Sequence, residues 1–177
     1  MPNDMKETIA KAMLTLLMER HVKKLTVKDI VEQCQITRQA FYYHFEGIPE
    51  LIRWMVEGYF EQILQNVMAQ ESMEEGLRCF FVMAINAIPY LEQGMDSNYR
   101  DDLERLLRQC FQRFFALGLE KKHYYANCTG SEIKVILRYH SRAVLGLLQE
   151  WTKEDTDQLD QIVHTVYRLI AEGIPPK

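Results

Sequence analysis

Between Thr26 and His44 the chain gathers side chains suited to one kind of chemistry, hydrogen bonding to nucleotides. Arg38, Gln39, Tyr42, Tyr43 and His44 share a seven-residue stretch, Thr37 stands immediately before it, and Thr26 and Lys28 lie a little upstream. An arginine can pair with guanine and a glutamine with adenine, whereas threonine, lysine and tyrosine side chains reach phosphate oxygens. Ala40 is counted with this candidate contact set, although Ala40, Phe41 and Phe45 are also the residues free to turn inward. His44 has two readings, a phosphate contact or a simple helix C-terminal cap.

Such a cluster works only if something holds it in place. Thr26 is positioned to cap a helix over 27–34, in which Val27, Ile30, Val31 and Cys34 recur on one apolar face. Gln35-Ile36-Thr37 makes the turn, and Thr37 caps a second helix over 38–44. A helix this short is not stable alone, because nucleation is costly and few bonds follow it, so its neighbours must brace it. A preceding helix over 3–20, capped by Asn3 or Asp4, offers Ile9, Met13, Leu16 and Leu17 as that brace, with Ala10 and Ala12 beside them. His21-Val22-Lys23-Lys24 connects the two parts. The arrangement is that of a helix-turn-helix, whose second helix presents its N-terminal residues to a DNA major groove.

The segments Leu25-Thr26-Val27, Asp29-Ile30, Ile36-Thr37-Arg38 and Phe41-Tyr42-Tyr43-His44-Phe45, followed by Leu51, resemble the TetR (tetracycline-repressor-like) family of bacterial transcription regulators. The run His44-Phe45-Glu46-Gly47-Ile48 is similar to a branch that includes dihydroxyacetone-kinase regulators, some of which act as activators. The resemblance covers about the first third of the chain. It implies an all-α fold with a three-helix DNA-binding domain over 1–47 and a helical ligand-binding and dimerisation domain over 48–177. It further implies a homodimer formed by the last two long helices, a small-molecule effector of unknown identity, and a double-stranded operator. Two positions depart from the family pattern. Gln35 stands where the turn usually has glycine, which costs about 1–2 kcal/mol if the residue is left-handed. Ile48 stands where a phosphate-holding lysine is usual, while Pro49 remains good first-turn chemistry.

The remaining chain reads as helices throughout. The 177 residues are 47% hydrophobic and 26% charged, with only 8 Gly and 5 Pro to interrupt them. A helix over 48–69 carries the stripe Leu51, Trp54, Met55, Tyr59, Ile63 and Val67, a rod of roughly 30 Å able to transmit movement between its ends. A helix over 72–94 opens on a Ser72/Glu75 capping box, and Pro89 should kink or end it near Ala87. Further helices are expected from Ser97 or Asn98 to about Lys121, from Ser131 to about Trp151, and from about Asp155 to Glu172. His123 to Gly130 is expected as a linker, and Gly173, Pro175 and Pro176 as a stop.

Within the body, Phe80, Phe81, Met83, Phe111, Phe114 and Phe115 are either ordinary core at helical spacing or the lining of a ligand cavity, with Arg142 as a polar anchor. The wide apolar faces of the last two long helices suggest a partner copy, the alternative being packing within one chain. The formal net charge is −4, with residues 1–50 neutral in sum and the body carrying the acidic excess. Attraction to phosphate must therefore come from the placement of Lys23, Lys24, Lys28 and Arg38 rather than from bulk charge. No apolar run is long enough to span a bilayer and no signal peptide is visible, so a cytoplasmic protein without membrane attachment is expected. Four scattered cysteines read as small buried hydrophobes. No metal-ligand spacing, nucleophile motif or phosphate loop appears, so neither an enzyme nor a cofactor or metal is expected. The leading reading is a ligand-responsive regulator, a repressor first, that binds a palindromic operator. The alternative is an all-helical interaction module that keeps the fold without binding DNA by itself.

Overall fold

Few helix breakers and apolar residues at helical spacing give helices, and the computed structural model describes residues 2–122 and 128–171 as an all-α chain with no strand among them. In order these are α1 Pro2–Met18, α2 Val27–Cys34, α3 Arg38–His44, α4 Ile48–Met68, α5 Met73–Met95, α6 Arg100–Lys122, α7 Gly130–Gln149, α8 Lys153–Asp157 and α9 Leu159–Ala171. Two compact units share this chain. One comprises Met1–Gly58 with Ala87–Leu107, and the other Tyr59–Asn86 with Arg108–Lys177. Each of α4, α5 and α6 therefore contributes residues to both.

In the first unit α1 lays Ile9, Met13, Leu16 and Leu17 against the helix pair that follows, and all four are buried, together with Ile30, Val31, Phe41 and Phe45. Burying side chains of this size removes about 1.5–3 kcal/mol each of unfavourable hydration, which is what a seven-residue α3 needs to stay folded. Lys6 stretches its ammonium over the Phe45 ring at 5.1 Å, so a charged residue of α1 also covers the end of α3. In the second unit, Ile63, Leu77, Phe80, Phe81, Phe111, Phe114, Phe115, Val144, Leu148, Val163, Val166 and Ile170 form one core.

Helix starts follow local capping chemistry. Ser72 and Glu75 close a reciprocal box at α5, with Glu75 N–H donating to Ser72 Oγ at 3.1 Å and Ser72 N–H to Glu75 Oε2 at 3.0 Å. Thr129 with Glu132 and Thr152 with Asp155 do the same for α7 and α8. The α7 start is thus earlier than the expected Ser131, because Thr129 supplies the capping oxygen.

Helix α5 spans Met73–Met95, close to the expected 72–94; of the two effects expected of Pro89, it does not end the helix near Ala87. Pro89 is exposed, and the segment beyond it is held against α6, where buried Gly94 sits so close to Leu103 that a Cβ would lie 2.7 Å from its Cδ2. Packing outweighs one missing ladder bond. The last helix, expected as one piece from about Asp155 to Glu172, is not continuous. The Thr152 box starts the short α8, and the Gln158 N–H turns back to Glu154 O and Asp155 O at 3.1 and 3.2 Å before α9 begins. The His123 part of the linker and the Gly173-Pro175-Pro176 stop lie outside the described residues, as do the side chains of Asn3 and Asp4.

Candidate nucleic-acid interface

The site is built from its caps. At the start of α2, Thr26 Oγ1 accepts from Asp29 N–H at 3.3 Å and donates to Asp29 Oδ2 at 2.6 Å, while Asp29 Oδ2 also accepts from Thr26 N–H at 2.9 Å. Thr26 is therefore engaged in a capping box, although it stays exposed. The turn then needs one left-handed residue. Gln35 takes it, at φ 56° and ψ 41°, so the conformation expected of glycine is adopted here by a residue with a Cβ. Ile36 N–H donates to Val31 O at 3.0 Å and ties the turn back to α2. Thr37, extended at φ −82°, caps α3 by accepting from Ala40 N–H at 3.1 Å.

Within α3 the helical period separates two faces. Phe41 is fully buried and Phe45 nearly so, with their ring centroids 6.0 Å apart and Phe45 set against Trp54 at 5.9 Å. Arg38, Gln39, Tyr42 and Tyr43 are exposed, Tyr43 at 85% and Tyr42 at 55%. Exposed tyrosines of this extent on so short a helix are unusual cover for a surface and leave both hydroxyls open to a partner. Ala40 and His44 are half-buried, and the His44 ring stands edge-on to Tyr43 at 5.0 Å. Lys28 is exposed and lies 3.7 Å from Glu32 in an i,i+4 pair, a surface contact worth little and easily exchanged for a phosphate. Lys23 and Lys24 are exposed just before α2. Ile48 is buried at 2% exposure, so the start of α4 carries packing where a positive charge would have met phosphate.

Burial pushes the Cys34 thiol above its ordinary range, and its Sγ lies 3.9 Å from Thr8 O, the environment of a packed, protonated side chain. Among the described residues no group of three or more His, Cys, Asp or Glu is placed to hold a metal.

One feature of this unit carried no signal in the sequence. Asn98, in the α5–α6 turn, reaches back 73 residues to the strip before α2. Its Oδ1 accepts from Leu25 N–H at 2.9 Å, its own N–H donates to Lys23 O at 3.0 Å, and its Nδ2 donates to Leu25 O at 3.5 Å. His21 Nδ1 and Gln93 Oε1 lie 3.2 Å apart beside it. The α2 cap is therefore fixed partly from the far side of the chain.

The residues named for a ligand pocket lie in the second unit. Phe80, Phe81, Phe111, Phe114 and Phe115 are buried against one another, with Phe80 and Phe114 stacked at 4.6 Å. Met83 is half-buried, and its carbonyl accepts from the Tyr59 hydroxyl at 2.7 Å. Arg142 is exposed and lines a hollow of about 110 Å³ together with Phe111.

An apolar-backed short helix that displays arginine, glutamine and two tyrosines beyond a capped tight turn defines a helix-turn-helix protein of the DNA-binding class. Residues 9–53 match the family model for bacterial regulatory proteins of the tetR family. The helix-turn-helix of this chain is thus similar to that of the TetR-family transcription regulators over these residues. The HTH-type dhaKLM operon transcriptional activator DhaS of Lactococcus lactis subsp. lactis (strain IL1403) is 33% identical over 58 residues, 33% of this chain and 31% of that protein. The match thus spans less than a third of that relative. Two solved structures share the fold along nearly the whole chain. One, assigned to the TetR-family transcriptional regulators of Syntrophomonas wolfei strain Goettingen, has a TM-score of 0.66 at 16% identity and covers 99% of this chain and 98% of that one. The other, assigned as a fatty acid metabolism regulator of Clostridium perfringens, has a TM-score of 0.54 at 14% identity and covers 96% and 100%. No helix among the described residues is long and apolar enough to cross a membrane.

Proposed function

We propose that this chain is a cytoplasmic, ligand-responsive regulator that binds a palindromic operator as a homodimer, with residues 1–47 reading DNA and 48–177 sensing and dimerising. The observation that carries the reading is the division of α3 into a buried Phe41/Phe45 back and an exposed front of Arg38, Gln39, Tyr42 and Tyr43. Arg38 and Gln39 meet base edges. Tyr42, Tyr43, His44 and Lys28 meet phosphates, Ala40 allows close approach, and Thr26 and Thr37 set the pose of the two helices through their caps. A twofold pair places its reading helices on half-sites about 34–36 Å apart.

The last two long helices, α7 and α9, supply the dimer surface. Val135, Tyr139 and Leu147 on α7 and Leu169 on α9 are large apolar side chains left 44–64% exposed. A second copy is the partner we assign to them. An effector in the body, near Phe80, Phe81, Met83, Phe111, Phe114, Phe115 and Arg142, then shifts the spacing of the two reading helices. It can do so only to the extent that it binds one arrangement better than the other. With the core rings in mutual contact, Phe111 and Arg142 are the two members that border open space.

Repression is the first reading, since a dimer on an operator obstructs polymerase. Activation is the second, favoured by the similarity to DhaS, an operon transcriptional activator. A gel-shift against the DNA upstream of the chain's own gene tests operator binding, and a reporter on the same DNA separates the two signs. Arg38→Ala should weaken operator binding by about 1–3 kcal/mol and relax sequence choice, whereas Tyr42→Ala should weaken binding to all sequences alike. Unchanged affinity in both variants removes α3 as the reader and leaves the interaction-module reading in its place.

A further inference from the structure

In the second unit, α6 and α7 leave a hollow of about 110 Å³ lined by Arg108, Phe111, Gln112, Arg138, Ser141, Arg142 and Leu145. We propose that this hollow binds an oxyanion, the carboxylate or phosphate group of a small organic anion, between Arg138 and Arg142 on α7 and Arg108 on α6.

Three guanidinium groups line it and no carboxylate does, in a body whose charge is otherwise negative. Arg138 and Arg142 are one helical turn apart, a spacing at which like charges oppose helix formation. Other arginines of the same unit are matched with acids, Arg78 to Asp160 at 2.7 Å and Arg113 to Glu61 at 4.0 Å. Arg138 and Arg142 have no such partner among the described residues. A bound oxyanion removes that repulsion. The guanidinium fork matches the paired oxygens of a carboxylate or phosphate, which a chloride ion cannot offer.

The floor suits the same ligand. Phe111 and Leu145 are apolar and lower the local polarisability around the charges, which strengthens their attraction for an anion. Ser141 is buried, with its hydroxyl donating to Arg138 O at 3.3 Å, which holds the backbone beneath the arginine pair. Gln112 adds an amide donor at the rim. The volume accommodates a charged group rather than a large ring system, so the anion is the anchor of the ligand and the remainder of the molecule lies along the groove. In assigning this anion to the effector, the inference rests on the regulator reading above; in assigning the site, it does not.

The test uses the whole protein and defined salts. Thermal unfolding is followed in sodium phosphate, in sodium acetate and in sodium chloride at equal ionic strength and pH. At about tenfold excess over the dissociation constant, the midpoint should rise by roughly 3–6 °C over chloride in at least one of the two oxyanions. Which of them acts identifies the group as phosphate or carboxylate. The R138Q/R142Q variant should lose the increment, and R142K, which keeps charge but not the fork, should lose part of it. Equal increments in wild type and R138Q/R142Q identify a general salt effect and overturn the site, as does no increment in either salt. If R138Q/R142Q does not fold, R142K decides, since an undiminished increment there overturns the proposal. Operator binding without added anion is measured in parallel. Its failure with the increment intact refutes the regulator reading alone, and its persistence with the increment absent refutes this site alone.

Discussion

Gln35 shows how a single residue can carry a backbone requirement against its own preference. Its φ of 56° is imposed by the turn, and its side chain is exposed, so what holds it is the backbone, whose N–H donates to Glu32 O at 3.3 Å, a bond that glycine would keep. Gln35→Gly should therefore raise the unfolding free energy by about 0.5–1 kcal/mol, the left-handed cost less the extra freedom glycine has when unfolded. Denaturant unfolding of the two proteins measures the difference. His140 offers a different lever. It is buried on α7, and desolvation lowers its pKa below the ordinary histidine value near 6.5. The unfolded chain then takes up a proton as pH falls through that value while the folded chain does not. Stability tied to neutral His140 is thus present above pH ~6.5 and is lost as pH drops toward the lowered folded-state value. His140→Gln should flatten the decline of the melting midpoint over this window relative to wild type.

Among elements, the α5–α6 turn does more than connect two helices. Asn98 completes the hydrogen bonding of Leu25, whose side chain is 1% exposed and whose backbone leads into the α2 cap. Removing the acceptor leaves a shielded N–H without a partner, at a cost of about 1–3 kcal/mol, toward the lower end because Asn98 is itself exposed. Asn98→Ala should lower the melting midpoint and speed amide exchange at Leu25. Asn98→Asp, which keeps the acceptor oxygen, should do less harm.

For the whole molecule, the proposed property to test is association. The exposed Val135, Tyr139, Leu147 and Leu169 mark a surface whose burial should hold two copies together. Sedimentation should find a dimer, and Tyr139→Glu with Leu147→Glu should give a folded monomer. Operator binding should fall steeply in that monomer, since two half-sites are then no longer bound as one event. A double variant that remains dimeric would move the interface elsewhere.

Much of the helix-turn-helix was legible in residue order alone. The caps Thr26 and Thr37, the period that buries Phe41, and the polar front of α3 are local properties, each governed by neighbours within one or two turns. The capping box at Ser72 and the helical nature of the body were legible for the same reason. The division of the fold into compact units, the passage of α5 through Pro89, the break at Gln158 and the reach of Asn98 to Leu25 were decided by contacts between residues far apart in the chain. Whether the phenylalanines of the body line a space or fill it is of that second kind. Spacing shows which face of a helix is apolar, but only the packed neighbours determine what that face meets.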